Sequence, residues 1–337
     1  MLDDRKSAIL RAVVEQYIDT AQPVGSTHVV ESSGVGVSSA TVRSEMTTLE
    51  TEGYLTQPHT SAGRIPTEKG YRFFVDALGG RGELQPAQVR EVRSFFSHTH
   101  GELEAMLRDT SRLLSTLTAS TAMVVGEPSG ELATIRSAQL VGLAERTSLL
   151  VLVLSTGVVL KRTVDHDDDV NDEQLSRAST SLANALVDKP IDTVLKATST
   201  GDLAVDAVVD AAIGAAAKIA DDEGPKLFVD GASNMAAAFD ATSTLQHVLA
   251  LLEQQMTVVA LMEDVLSRGL SVAIGSETGV HSLSECAVVV APIEVGGDHA
   301  GTVGVLGPTR MNYSEALAAV ADVSQRLSRM LTEGTEG

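Results

Sequence analysis

Two adjoining stretches, Ser38-Ser-Ala-Thr-Val-Arg-Ser-Glu-Met-Thr-Thr-Leu-Glu50 and Gly53-Tyr-Leu-Thr-Gln-Pro-His-Thr-Ser-Ala-Gly-Arg-Ile-Pro66, decide how this chain is read. In the first, Val42, Met46 and Leu49 are spaced four and three apart, so they share one face of a helix that turns to a core. Ser39, Ala40, Arg43, Ser44 and Thr47 are left looking outward. Ser38 or Ser39 supplies the N-cap and Gly53 the stop. In the second, Tyr54–Gln57 reads as a strand, Pro58–Gly63 as turn chemistry, and Arg64–Pro66 as a short returning strand. Thr67 then caps a helix running through Tyr71, Phe73, Phe74 and Leu78.

Working outward, the residues before Ser38 hold two more helices. Ile9, Ala12, Val13 and Tyr17 give one apolar face to a helix from about Asp3 to Thr20, which Pro23 and Gly25 end. Ser26 or Thr27 offers an N-cap for a short helix carrying Val29 and Val30, and Gly34 and Gly36 mark the turn that follows. Helix, helix, turn, helix and a β-hairpin is the layout of a winged helix-turn-helix.

Gly79-Gly-Arg-Gly82 marks the end of that unit. A helical stretch from Pro86 to about Thr118 and a strand at Ala122–Gly126 come next. Ile135–Leu143, Ser148–Leu154 and Val158–Val164 then form an expected antiparallel meander. Helices are expected around Gln174–Val187, Ile191–Ala197 and Asp202–Ala220. The last has one narrow polar stripe, and Val205, Val208, Val209, Ala212, Ile213 and Ala216 cover much of the rest. A helix this apolar is buried on most sides, either inside its own domain or against a second copy of the chain. Leu227–Val229 begins another αβ segment. Leu245, Val248, Leu252, Met256, Val259 and Val265 outline one long helix, and Ser271–Gly275, Cys286–Val295 and Thr302–Leu306 read as strands. The last two are expected to pair around Gly296-Gly297-Asp298, and a closing helix uses Val320, Val323, Leu327 and Met330.

At 337 residues the chain is long enough for two or three domains. Aromatics make up 3% and Trp is absent, so the cores rest on Val, Leu, Ala and Ile. No apolar run approaches the roughly 20 residues of a membrane span, and Met1-Leu-Asp-Asp-Arg-Lys has no secretory character. The single Cys286 fits a reducing cytoplasm and excludes Cys-based zinc sites; its expected role is that of a small buried hydrophobe. The net charge of −20 argues against long-range attraction to nucleic acid. Residues 1–80 hold seven Lys and Arg against ten Asp and Glu, a net −3, leaving −17 on the remainder. DNA binding by such a chain must rest on a few placed cations, helix N-termini and hydroxyls.

Gly34-Val-Gly-Val-Ser-Ser-Ala-Thr-Val-Arg43, Gly53–Pro66 as quoted above, and Gly70-Tyr-Arg-Phe-Phe-Val-Asp76 resemble the N-terminal signature of the HrcA repressors. Gly304-Val-Leu-Gly-Pro-Thr-Arg-Met-Asn-Tyr313 is similar to that family's C-terminal signature, with Phe228-Val-Asp-Gly-Ala-Ser-Asn234 and Ile274-Gly-Ser-Glu277 in order between them. The resemblance spans the chain, although residues 130–225 match in layout more than in wording. It implies an α+β multidomain protein: a winged-helix DNA-binding domain at 1–80, a GAF-like α/β domain from 81–129 and 226–337, and an inserted α+β dimerising domain at 130–225. It also implies a homodimer repressing chaperone operons through an inverted-repeat operator in double-stranded DNA, aided by a GroEL-type chaperonin. No cofactor is implied. With dimerisation expected from the insert, Val205, Val208, Val209, Ala212, Ile213 and Ala216 become the candidate interface.

In a helix-turn-helix, the second helix of the pair enters the major groove with its N-terminal side chains toward the bases. Here that is Ser38–Leu49. Arg43 is the best candidate for a direct base contact, because its fork can take guanine O6 and N7 together. Ser38, Ser39, Thr41, Ser44 and Thr47 can bond bases or phosphates, and Ala40 can touch a thymine methyl. The wing would press His59, Thr60, Ser61 and Arg64 against backbone or minor groove. Lys69 and Arg72 are either phosphate contacts or structural partners of Glu68 and Asp76.

Enzymatic and metal readings find little. Asp165-His-Asp-Asp-Asp169 resembles a calcium loop but has Val170 where glycine is needed and Ser176 where glutamate is needed. His98 and His100 fall on different helix faces, and no P-loop or nucleophile elbow occurs. Two rivals remain beside the repressor: a regulator whose GAF-like pocket senses a small molecule, and an enzyme with an accessory winged helix. The second requires a clustered catalytic set, which the sequence does not show.

Overall fold

In a computed structural model, the structure describes residues 2–34, 36–59, 62–79, 82–98, 103–126, 134–155, 159–166, 169–190, 197–222, 225–238, 242–269 and 271–335. Thr60 and Ser61, and the helix expected at 191–196, lie outside them.

The N-terminal unit holds α1 (Asp4–Thr20), α2 (Ser26–Ser33), α3 (Ser39–Thr51), a two-stranded ribbon of β1 (Leu55–Thr56) and β2 (Ile65–Pro66), and α4 (Glu68–Leu78). Local chemistry sets each boundary. Asp3 accepts from the Lys6 N–H at the start of α1 at 2.8 Å, Ser38 accepts from the Thr41 N–H at the start of α3, and Thr67 from the Gly70 N–H at the start of α4. Helix α2 has no side-chain cap; it starts at Gly25, and Ser26 is buried instead. Ile9, Val13, Val29, Val42, Leu49, Leu55 and Phe74 make the core of this unit.

Helices α5 (Pro86–His98) and α6 (Leu103–Thr118) lead into β3 (Thr121–Gly126). The chain then leaves for a separate layer: β4 (Ile135–Ala144), β5 (Thr147–Leu154) and β6 (Val159–Asp165), an antiparallel meander in that order, backed by α7 (Asp172–Leu186) and α8 (Leu203–Asp222). The meander is the one expected from its alternating apolar runs. It returns through β7 (Lys226–Asp230), α9 (Ala232–Ala238), α10 (Thr242–Glu253), α11 (Gln255–Ser267), β8 (Val272–Ile274), β9 (Cys286–Val295), β10 (Asp298–Pro308) and α12 (Tyr313–Thr335). Five strands form an antiparallel sheet, ordered β7-β3-β10-β9-β8.

Alternation along those strands builds two cores. Ala122, Val124, Val289, Val303 and Val305 face the side that carries α6 and α12, and they are continuous with the apolar cluster of the N-terminal unit. Met123, Val125, Val288 and Val290 face the other side, with Val259 and Met262 of α11. The β9–β10 hairpin turns at Gly296 and Gly297, both at positive φ, which a two-residue turn between twisted strands requires.

Two expectations are corrected. The single long helix over Leu245–Leu266 is two, α10 and α11, meeting at Gln254. Met256, counted into the apolar stripe, is 65% exposed, because α11 turns Val258, Val259, Met262 and Val265 inward instead. The face of α8 assigned to a partner is occupied within the chain. Val205, Val208, Val209, Ala212 and Ala216 are buried against Leu150, Leu152, Leu160 and Leu182 of the same layer, with Ile213 packed at its edge. One helix must back half of a three-stranded sheet here, which is why it carries so little polar surface.

Candidate nucleic-acid interface

Helix α3 offers the outer surface of the N-terminal unit. Ala40, Arg43, Ser44 and Thr47 are all exposed, and their spacing of three, one and three puts them on one face. The Arg43 side chain has no hydrogen bond or ion pair among the described residues, so its fork is uncommitted. Thr47 donates its hydroxyl to the Arg43 carbonyl at 3.0 Å, which leaves it an acceptor outward. At the N-terminus of α3, which begins at Ser39, the Thr41 N–H is taken by Ser38.

The other expected contacts are more committed. Ser38 and Thr41 bond each other at 3.0 Å as part of the helix cap. Ser39 meets Ser26 of α2 at 2.9 Å and so pins the two helices of the pair. His59 is exposed in the turn closed by the Ala62 N–H on the His59 carbonyl; Thr60 and Ser61 lie outside the described residues.

Arg64, Lys69 and Arg72 each have a partner within the chain, which for Lys69 and Arg72 agrees with the structural alternative. Arg64 turns back onto Glu50 of α3, with Nε and Nη2 each 2.8 Å from one carboxylate oxygen, and its side chain is only 16% exposed. Its backbone also pairs with Val24, which ties the ribbon to the loop before α2. Lys69 donates to the Glu52 carbonyl at 2.8 Å and sits over the Tyr54 ring at 4.2 Å. Arg72 leaves the N-terminal unit altogether. Its Nε donates to Glu277 at 2.8 Å, its Nη2 bonds the other Glu277 oxygen and the Val272 carbonyl, and Asp76 lies 3.5 Å away. The sequence offers Lys69 the adjacent Glu68 and Arg72 the Asp76 one helical turn on; the structure keeps the Asp76 contact, gives Lys69 the Glu52 carbonyl 17 residues before it, and gives Arg72 the Glu277 carboxylate 205 residues on.

Electrostatics mark the same joint. Burial acts to raise the Glu277 carboxyl, but the bonds from Arg72 and the Ile274 N–H, with the charges of Arg72 and Arg268, hold it below the usual carboxylate range. Burial acts to lower Arg72, and Glu277 with Asp76 more than offsets that. Glu68, first residue of α4, accepts from the Ser276 hydroxyl at 2.6 Å and its N–H at 3.2 Å. Nothing in the sequence pattern paired Glu68 with Ser276; only Ile274-Gly-Ser-Glu277 stood out, without a role.

A second surface has no counterpart among the sequence expectations. The α7/α8 layer covers one face of β4-β5-β6. On the other, Leu149, Val151 and Val153 are half-buried, and Val141 and Val159 beside them are 46% and 48% exposed.

The family model for the HrcA protein C terminal domain matches residues 104–317. A curated protein of Nocardioides sp., "Heat-inducible transcription repressor HrcA", is 39% identical over 343 residues, covering 99% of this chain and 100% of that one. The chain belongs to the HrcA family. The HrcA of Kineococcus radiotolerans is 37% identical over 99% of this chain and 100% of its own length, and that of Mycobacteroides abscessus 38% over 98% of each. Both carry the same name, so this is a family of heat-inducible transcription repressors. A crystal structure described as that of a hypothetical protein shares the fold along 99% of this chain and 100% of its own, with TM-score 0.71 at 23% identity. Among the described residues no helix is long and apolar enough to cross a membrane.

Proposed function

We propose that this HrcA-family chain is a dimeric, cytoplasmic repressor of heat-shock chaperone operons, gripping an inverted-repeat operator through two winged helices. The observation that carries the reading is the α3 face of Ala40, Arg43, Ser44 and Thr47, outward and, at Arg43, uncommitted. Helix α3 is then the recognition helix, and the β1–β2 ribbon with the segment His59-Thr-Ser61 between its strands in sequence is the wing. The five-stranded sheet with its helices is the GAF-like domain, and the β4-β5-β6 layer inserted between β3 and β7 is the dimerising domain.

Arg43 takes the base contact and the α3 N-terminus a phosphate. With Arg64, Lys69 and Arg72 held by the protein's own acceptors, a single head has few free cations. It binds weakly, and two linked heads gain from effective concentration. The second copy docks on the open face of the inserted sheet, at Leu149, Val151, Val153, Val141 and Val159, since the apolar face of α8 is already covered. Assistance from a GroEL-type chaperonin rests on the family resemblance alone.

Fluorescence anisotropy on an intact inverted repeat, a half-site and a scrambled duplex tests this, over a salt series and with or without chaperonin. Preference for the intact repeat, lost in Arg43→Ala, is the expected result. Equal binding to all three duplexes would overturn the reading.

A further inference from the structure

The N-terminal head is not tethered by its linker alone. Helix α4 lays Glu68 and Arg72, one turn apart, onto the segment that follows β8. Glu68 accepts from Ser276, Arg72 bonds Glu277 and the Val272 carbonyl, and Glu277 is itself held by the Ile274 N–H at 2.9 Å. Gly275 between them has φ +54, and a Cβ there would sit 2.1 Å from the Glu68 carboxylate, so the approach requires glycine. Arg268 of the same unit donates to the Glu277 carbonyl at 2.9 Å and fixes the turn from behind. Below these polar contacts, Tyr71 of α4 meets Tyr313 at the start of α12, with ring centroids 5.9 Å apart and both side chains buried.

Helix α4 is in turn fastened to the end of α3. Thr67 donates to the Gly53 carbonyl, Lys69 to that of Glu52, and Tyr54 stands edge-on to Phe73 at 5.9 Å. A continuous set of contacts therefore runs from Glu277 through Arg72 and α4 to the C-terminal end of α3, the helix that carries Arg43.

We propose that Glu68, Arg72, Ser276 and Glu277 form a latch that sets the pose of each head on its core, and so the spacing between the two recognition helices. Arg72 and Glu277 are thus positioning residues for operator geometry and not DNA contacts. This rests on the reading of the chain as a dimeric repressor of an inverted repeat. A free head would still bind one half-site, but two free heads would meet a fixed spacing of about 34–36 Å only part of the time. The loss falls on the intact repeat, because effective concentration depends on geometry.

The test compares wild type with Glu277→Gln and Ser276→Ala on the core side of the joint and Arg72→Gln on the α4 side. Each is titrated against intact-repeat and half-site duplexes. Head pose is read separately from spin labels on Glu31→Cys and Glu263→Cys, both exposed, in protein diluted with unlabelled chain; the natural Cys286 is buried and stays unlabelled. The expected result is a narrow distance distribution that broadens in the variants. Affinity for the repeat falls on the order of tenfold while half-site affinity is unchanged. Parallel losses on both duplexes would overturn the latch and return Arg72 to DNA contact, and an unbroadened distribution would also overturn it. If wild type itself shows no preference for the repeat, the repressor reading fails, and the distance measurement still decides the latch.

Discussion

Ser26 and Ser39 meet hydroxyl to hydroxyl at 2.9 Å, one at the start of α2 and the other at the start of α3. Ser26 is 7% exposed, so removing its partner leaves a buried hydroxyl unsatisfied. Ser26→Ala and Ser39→Ala should each lower stability by about 1 kcal/mol, and the double variant should cost little more than either. Urea unfolding followed by circular dichroism checks this; fully additive losses would mean that the hydroxyls act separately.

Arg43 and Arg64 should separate cleanly. Arg43→Ala touches no internal partner, so stability should hold while operator affinity falls by about 1–3 kcal/mol. Arg64→Ala strands Glu50 at a partly buried site and should cost about 1 kcal/mol of stability. Its effect on the salt dependence of binding should be the smaller of the two. Equal salt slopes for both variants would restore Arg64 as a phosphate contact.

Substitutions in the inserted layer should sort by face. Val208→Asp places a charge among Leu150, Leu152 and Leu182 and should unfold that layer. Val151→Lys, on the open face of the sheet, should leave the fold intact and split the dimer. Sedimentation velocity with circular dichroism distinguishes them; a folded Val151→Lys dimer would remove this sheet from the interface.

Cys286 is fully buried at the start of β9, and burial, with the nearby Glu285 charge, pushes its thiol up to about 12. The native protein should react with a disulfide reagent only as fast as it opens, and denaturant should release one equivalent per chain. Rapid native reaction at neutral pH would contradict that burial.

The latch should fail in acid before it fails in base. Glu277 is held below its ordinary value, so its contribution is full above the unfolded glutamate pKa of about 4.3 and is lost as pH falls through the depressed value. Arg72, Arg268, Asp76 and Tyr313 surround it, and the arginine Arg72, raised, stays charged throughout. The label distances should therefore be constant from neutral pH to about 4.3 and broaden only below that, as pH falls through the depressed value. A transition near neutrality would point to another titrating group.

Much of this architecture is legible in the amino-acid sequence, for a local reason. Apolar spacing of three and four set α1 and α3, cap residues set the starts of α1, α3 and α4, and alternation broken by short polar or glycine-containing turns set the meander and the β9–β10 hairpin. Such signals act within a few residues, and the outward face of α3 follows from them, Arg43 included. Motifs along the whole chain likewise pointed to the HrcA family.

Tertiary structure decided which outward or apolar groups were already engaged within the chain. The face of α8 carries the same apolar pattern whether it backs its own sheet or a partner's, so only the position of β4-β5-β6 could assign it. Arg64 read as a free cation, and Arg72 as a phosphate contact or a partner of its helix neighbours, because Glu50 and Glu277 are 14 and 205 residues away. Long-range pairing leaves no period in a sequence. It is set by where the sheet carries each segment, and here it brings the end of β8 against α4 of the N-terminal unit.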